Sequence, residues 1–577
     1  MKIILAKTAG FCMGVRRAVE MVLEASNKEE KPVYTYGPLI HNPQVLDILN
    51  NKGIKVLSEI PKTGKGTVLI RAHGVPPESM QSFKDAGFNV IDATCPRVIK
   101  VQTIIDKYAR QGYTTIIIGD KDHPEVKGLL GFAKNKGHAV DCLEDLQKLP
   151  VFEKAIVVAQ TTQDNEYFGQ ARDFIEKKCP DYKIFNTICD STAKRQAEVK
   201  KIADEVESVV VVGGHNSGNT KRLAQILQNK GVQAYHVETE IELDVNQLRN
   251  QNKIGITAGA STPNWIINRV YNYIEMMPTN RMGKFRKLLF TIQHFLLMTN
   301  LYVALGAGCL AFACMTLQDI KPTIPLVLMS FLYVLSMHNL NFIINRKSEK
   351  YNYPYKSAFY EKHKKLLLLI AFFSGFLGIL IAFFQGTGSF IILSIMSTLG
   401  LAYRIKIVPV SLKKNFKVIS IQDLPGSKTI LIALAWGIVT TLLPAISVKE
   451  KILPVTLTVF CWSAALVFVR TAFFDMLDMQ GDRIVGRETL ALLLGEKKTI
   501  NLLKIILGIL FLGSIFSSIS GLTNPLSILL SLCIVFMGTI IYAHEKGHML
   551  PGFRMEFLIE SLFVLTGIIS FCWWVIT

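Results

Sequence analysis

A chain of 577 residues is too long for one domain, and its 50% hydrophobic content averages two halves of different character. The formal charge of +19 does not by itself point to nucleic acid. Much of the excess lies in connections between apolar segments, where basic residues mark the cytoplasmic side of a membrane. No signal peptide is expected, because the apolar run after Met1 is short and continues into Cys12.

The first element is a β-branched run, Lys2-Ile3-Ile4-Leu5. It leads through Ala9-Gly10-Phe11-Cys12-Met13-Gly14-Val15-Arg16-Arg17 into a helical pattern reaching Leu23. Cys12 therefore falls where a strand turns into a helix, between glycines that admit close backbone. A helix N-terminus and basic neighbours favour thiolate there. Further short apolar runs end in polar clusters. Val68-Leu69-Ile70 precedes Arg71-Ala72-His73-Gly74, Val90-Ile91 precedes Asp92-Ala93-Thr94-Cys95-Pro96, and Ile116-Ile117-Ile118 precedes Gly119 to Glu125. Ile156-Val157-Val158 runs into Gln160-Thr161-Thr162, Val209 to Val212 into Gly213-Gly214-His215-Asn216-Ser217, and Ile254-Gly255-Ile256 into Thr257 to Ser261. Amphipathic stretches such as 97–110 and 194–206 lie between them, which reads as α/β with parallel sheets in repeated units. Ligands in such sheets sit beyond the carboxyl ends of the strands, so the clusters should converge on one cleft.

Cys12, Cys95 and Cys189 occupy such strand ends, while Cys142 and Cys179 read as structural. Thiols in the cytoplasm stay reduced. Three thiolates far apart in sequence do not match zinc fingers, and a cysteine-only site suits iron–sulfur; zinc and a nucleophilic cysteine remain as alternatives. His41, His73 and His123 lie at loop positions beside Gly or Pro. With Ser217, Asn219 and Ser261 they offer donors suited to a diphosphate. Glu125 supplies the carboxylate beside His123 and is the candidate for proton delivery.

The motifs AGFCMGVRRAV, GPLIHNPQV, RAHGVPP, DATCP, HPEVKG, QTT, CDSTAKRQ, HNSGNTKRL and TAGAS cover residues 1 to about 275. Together they resemble the LytB/IspH family of 4-hydroxy-3-methylbut-2-enyl diphosphate reductases of the non-mevalonate isoprenoid pathway. The resemblance implies a domain over 1–280 with three α/β modules around a [4Fe-4S] cluster held by Cys12, Cys95 and Cys189. It further implies that His41, His73, His123, Ser217, Asn219 and Ser261 hold the diphosphate, that Thr161 lies near the substrate hydroxyl, and that Glu125 serves a proton relay. Gly218 stands where the family usually has Ser, so weaker binding is expected. Products would be isopentenyl and dimethylallyl diphosphates. Electrons would come from an external donor such as ferredoxin or flavodoxin, since no GxGxxG fingerprint is present.

Residues 281–288 form a basic linker, and 289–577 read as a membrane bundle. About nine apolar segments are placed near 289–316, 323–344, 366–384, 387–403, 429–447, 452–474, 501–520, 525–543 and 555–576. Basic residues concentrate in alternate connections, which puts the N-terminal domain in the cytoplasm and the C-terminus outside. Asp475, Asp478 and Asp482 share one helical face, where three carboxylates call for a cation. The stretch DMLDMQGDRIVGRETLALLLG resembles the second Asp-rich motif of UbiA-type intramembrane prenyltransferases. That resemblance implies Mg²⁺, a prenyl diphosphate and a prenyl acceptor. The first motif departs from the family, reading Asn341-x3-Asn345-x3-Glu349, so a weaker or differently placed metal is expected. Tyr403, Arg404, Lys406 and Lys428 are the expected basic clamp. The reading is thus a fusion of two isoprenoid enzymes. One alternative is a membrane scaffold tethering an active reductase; another is a zinc-dependent hydrolase in the soluble half. Direct hand-over of product is not expected, because such transferases take long prenyl chains.

Overall fold

The computed structural model describes residues 1–29, 31–277, 283–344, 349, 352–402, 408–412, 415–419, 426–449, 452–485, 489–547 and 552–577. Two units separate, Met1–Arg281 and Met282–Thr577.

The strands of the first unit are β1 (Lys2–Leu5), β2 (Val33–Tyr36), β3 (Lys55–Leu57), β4 (Thr67–Ile70), β5 (Asn89–Asp92) and β6 (Thr114–Ile118). They continue as β7 (Gly137–Val140), β8 (Ala155–Ala159), β9 (Lys183–Phe185), β10 (Ser208–Val212), β11 (Gln233–Val237) and β12 (Lys253–Ala258). They form three four-stranded sheets, ordered β1-β12-β10-β11, β3-β2-β4-β5 and β7-β6-β8-β9, and every pairing in them is parallel. β4, β8 and β10 are buried along their whole length. Strands covered on both faces read as continuous apolar runs, which is why these are recognisable in the sequence. The first sheet joins the two ends of the unit, with Ile3 paired to Ile254.

Parallel strands need crossovers, and the helices that supply them start at the polar clusters. Cys12 is the N-cap of Met13–Lys28, Cys95 of Pro96–Arg110 and Cys189 of Asp190–Ala203. His123 caps Pro124–Leu130, and Ser217 precedes Gly218–Asn229. Each strand-to-helix turn thus presents a reactive or polar side chain at the positive end of a helix.

In the second unit, seven helices among the described residues are long and apolar enough to cross a membrane. They are Ile324–Ile344, Lys364–Phe384, Ser427–Val448, Pro454–Leu477, Glu496–Ile519, Leu526–Glu545 and Phe553–Ile576. The segment expected near 289–316 is not one helix: Lys284–Met298 and Leu301–Leu317 meet at an angle of 79°. Asn300 makes the corner in the left-handed region, with φ of +59°. Its amide donates to Asn339 Oδ1 at 3.0 Å and Tyr360 Oη at 2.8 Å, while Lys356 Nζ donates to Asn300 Oδ1 at 2.8 Å. Those remote partners hold a corner that local periodicity does not foretell. The segment near 387–403 is the helix Thr387–Ala402, whose 16 residues fall short of a full span. Leu369, Phe372, Phe373 and Phe376 on one helix, and Ile505, Ile509, Leu512 and Phe516 on another, expose apolar faces at helical spacing, as lipid contact requires.

Candidate active sites

Cys12, Cys95 and Cys189 line one pocket of about 90 Å³ in the first unit. A cysteine-only donor set of this kind suits an iron–sulfur cluster. Gly14 makes room for the sulfurs, since a Cβ there would lie 2.4 Å from Cys95 Sγ. Cys12 Sγ accepts a weak bond from Val15 N at 3.5 Å, and Cys12 N donates to Ala260 O at 3.1 Å. Burial pushes the Cys95 thiol up, and the neighbouring Cys12 and Cys189 add to that. Three bare thiolates would be unfavourable there without a positive partner.

The other wall of the pocket carries His41, His73, His123, Ser217, Gly218, Asn219 and Ser261, the residues picked from the sequence. The imidazoles crowd together, with ring centroids 4.9 Å apart for His41 and His73 and 5.3 Å for His73 and His123. Burial holds all three below the usual histidine range, and His123 falls to about 4. Each therefore stays neutral at pH 7 until an anion arrives. His41 Nε2, His73 Nδ1 and both amide atoms of Asn219 are buried without a hydrogen-bond partner. Those orphaned atoms, beside the N-terminus of Gly218–Asn229, fit a ligand with several oxygens. The three ring nitrogens also lie close enough to share one metal ion, but the Asn219 amide and the helix N-terminus favour an anion. Ser261 Oγ donates instead to His41 O at 3.3 Å, steadying that histidine.

Glu125 is 1% exposed and lines the same pocket with Thr161. Its carboxylate accepts from Thr161 N at 2.7 Å and Thr161 Oγ1 at 2.9 Å. Burial outweighs those bonds and pushes the carboxyl up to about 7. A group so poised exchanges a proton near neutrality. The sequence reading passed over Arg222, which pairs with Asp120 at 2.7 Å and also bonds Gln163 behind the site.

In the second unit a cavity of about 470 Å³ is lined by Asn341, Glu349, Lys428, Asp475 and Asp478 among others. Asp475 accepts from Lys428 Nζ at 3.1 Å and Thr429 Oγ1 at 2.6 Å, and Asp478 from Tyr353 Oη at 3.0 Å. Asp482 does not line the cavity; it accepts from Asn352, which does, at 3.1 Å. The helix carrying Asp475 ends at Leu477, yet Asp482 N still donates to Asp478 O at 3.0 Å, so the acidic turn stays together. Asn345, Tyr403, Arg404 and Lys406 lie outside the described residues. Sequence reading missed a second polar group on this cavity. Arg470 pairs with Glu560, and Lys356 stands 3.6 Å from Glu556. The available signal was a single charge inside an apolar run, Val469-Arg470-Thr471 and Ile559-Glu560-Ser561.

Comparison with known proteins agrees with this division. Residues 3–275 match the LytB protein family, and residues 301–549 match the UbiA prenyltransferase family. The 4-hydroxy-3-methylbut-2-enyl diphosphate reductase of Geobacter sulfurreducens is 44% identical over 283 residues, covering 49% of this chain and 100% of that protein. The enzyme of the same name from Aquifex aeolicus is 42% identical over 281 residues, covering 47% of this chain and 96% of its own. A solved UbiA homolog from Archaeoglobus fulgidus, bound to GPP and Mg²⁺, aligns with 48% of this chain and 99% of its own at 14% identity and a TM-score of 0.34. The chain belongs to the LytB family of 4-hydroxy-3-methylbut-2-enyl diphosphate reductases and carries, joined to that domain, a second domain of the UbiA prenyltransferase family.

Proposed function

We propose that the first unit reduces (E)-4-hydroxy-3-methylbut-2-enyl diphosphate to isopentenyl and dimethylallyl diphosphates, and that the second transfers a prenyl group from a polyprenyl diphosphate to an acceptor. The observation that carries the first reading is one pocket holding three capping cysteines, three neutral histidines and a buried, protonatable Glu125. Three thiols lining one pocket fit a [4Fe-4S] cluster with Cys12, Cys95 and Cys189 as ligands. Such a cluster supplies the two electrons, drawn from an external protein donor, and a Lewis-acidic iron. The histidines, Asn219, the Ser217 hydroxyl and the N-terminus of Gly218–Asn229 grip the diphosphate and fix the allylic end toward Glu125. Thr161 holds the carboxyl of Glu125 through its N–H and hydroxyl. Glu125 gives its proton to the hydroxyl oxygen, which leaves as water, and the reduced carbon skeleton takes up the second proton. Cys95→Ser should abolish both the brown chromophore and turnover after anaerobic purification. Full absorbance and turnover in that variant would sink the ligand assignment.

In the second unit Asp475, Asp478, Glu349 and Asn341 line one cavity and offer the hard oxygen donors that Mg²⁺ takes. Lys428 lines the same cavity, where it pairs with Asp475, and its charge would serve a diphosphate bound there. One amide, Asn345, in place of a carboxylate removes one negative charge from the first motif, so a weaker metal affinity follows. With the basic connections inside, the reductase unit faces the cytoplasm of a multi-pass inner-membrane protein.

A further inference from the structure

Three arginines lash the cysteine turns into a ring. Arg17, on the helix capped by Cys12, donates to Thr94 O at 3.0 Å, next to Cys95. Arg97, on the helix capped by Cys95, pairs with Asp190, next to Cys189. Arg195, on the helix capped by Cys189, closes the circle: its Nη2 donates to Gly10 O at 2.5 Å and its Nη1 to Ala258 O at 2.9 Å. Each module thus sends a guanidinium to the turn of the next.

The three are not equivalent. Arg97 and Asp190 are largely exposed, and such a pair contributes little. Arg195 is 3% exposed. Its hydrogen bonds go to carbonyls, and its Nε has no partner. Glu198 lies one helical turn on, but its oxygens accept from Lys7 N, Thr8 N and Thr8 Oγ1. A buried guanidinium with no carboxylate bonded to it is costly unless another anion offsets it. Among its neighbours the Cys12 sulfur bears most strongly on its charge, ahead of Glu198 and Cys189. The unpaired cation and the group of sulfurs each lack what the other supplies.

We propose that Arg195 is a positioning residue with a second duty: it is the fixed buried countercharge of the thiolate-bound cluster, favouring the reduced, more negative state and raising its reduction potential. The charge is held by two carbonyls of the first sheet's C-terminal edge, so it cannot swing away when the cluster changes charge. The inference rests on Cys12, Cys95 and Cys189 being the cluster ligands.

The test uses the full chain in detergent, reconstituted anaerobically with iron and sulfide, as parent, Arg195→Lys and Arg195→Gln. Iron and acid-labile sulfide report loading, and a redox titration followed by electron paramagnetic resonance reports the midpoint potential. The neutral Gln variant should load and titrate at a more negative potential. The charged Lys variant should titrate near the parent but lose iron faster to a chelator, because one ammonium cannot span both carbonyls as a guanidinium fork does. If Gln fails to load while Lys loads and keeps the parent potential, the charge is still the property required. A loaded Gln variant with an unmoved potential overturns the proposal, as does failure of both variants to load. A parent protein that takes up no cluster sinks the ligand assignment instead.

Discussion

His123 and Glu125 stand two residues apart, yet burial moves their protons in opposite senses, the imidazole down to about 4 and the carboxyl up to about 7. Both shifts follow from one cause, since a low-dielectric pocket disfavours whichever form is charged. The consequences differ. His41, His73 and His123 are neutral at pH 7, and a bound diphosphate would draw protons onto them. Binding inorganic diphosphate should therefore take up protons, and affinity should strengthen as pH falls from 8 to 6. Calorimetry in two buffers of different ionisation enthalpy measures this directly, and binding without proton uptake would refute it. Glu125 must carry its proton to act as an acid, so kcat/KM, which reports the free enzyme, should fall toward about tenfold per pH unit above about 7. Glu125→Gln should lose that limb along with at least about a hundredfold in rate while keeping the chromophore.

At the scale of elements, the helix start is the recurring unit, and Gly218 is the position where the family resemblance leads one to expect Ser. A Cβ there would sit 3.7 Å from Asp120 Oδ2 and 3.9 Å from His123 Cδ2, ordinary contact distances. Gly218→Ser therefore fits without movement and adds a hydroxyl beside the N-terminus of Gly218–Asn229. One added hydrogen bond of about 0.5–1.5 kcal/mol tightens substrate binding roughly threefold to tenfold, read as a lower KM with kcat little changed. The same comparison shows what local sequence can carry. Buried parallel strands such as Val209–Val212 announce themselves, and so does a cysteine set between a strand and a helix. The partner of each strand does not, because β1 meets β12 only through the closed fold. Nor does the corner at Asn300, which depends on Asn339, Lys356 and Tyr360, or the role of Arg195, whose partners Gly10 and Ala258 are remote in sequence. The acidic motif at Asp475 was legible; the Arg470–Glu560 pair facing the same cavity was only a pair of stray charges until the helices were assembled.

The whole molecule joins two units, each with its own core. All three parallel sheets and every residue of the cysteine pocket lie within residues 1–281, while a separate apolar core spans Val303 to Phe563 in the second unit. Residues 1–281 should consequently load a cluster and turn over substrate at the rate of the full chain. In a strain carrying only that fragment, the isoprenoid supply stays intact, so any change in lipids reports the missing second unit. The transferase reading expects one prenylated lipid to vanish from the extract. It expects the same loss from full-length Asp478→Asn, which retains the fold but removes a charge from the cavity beside Tyr353. Loss with the fragment but not with Asp478→Asn would mean that the second unit matters for where the reductase sits rather than for chemistry in its cavity. An unchanged lipid profile in both strains would leave a tether as the reading of the second unit.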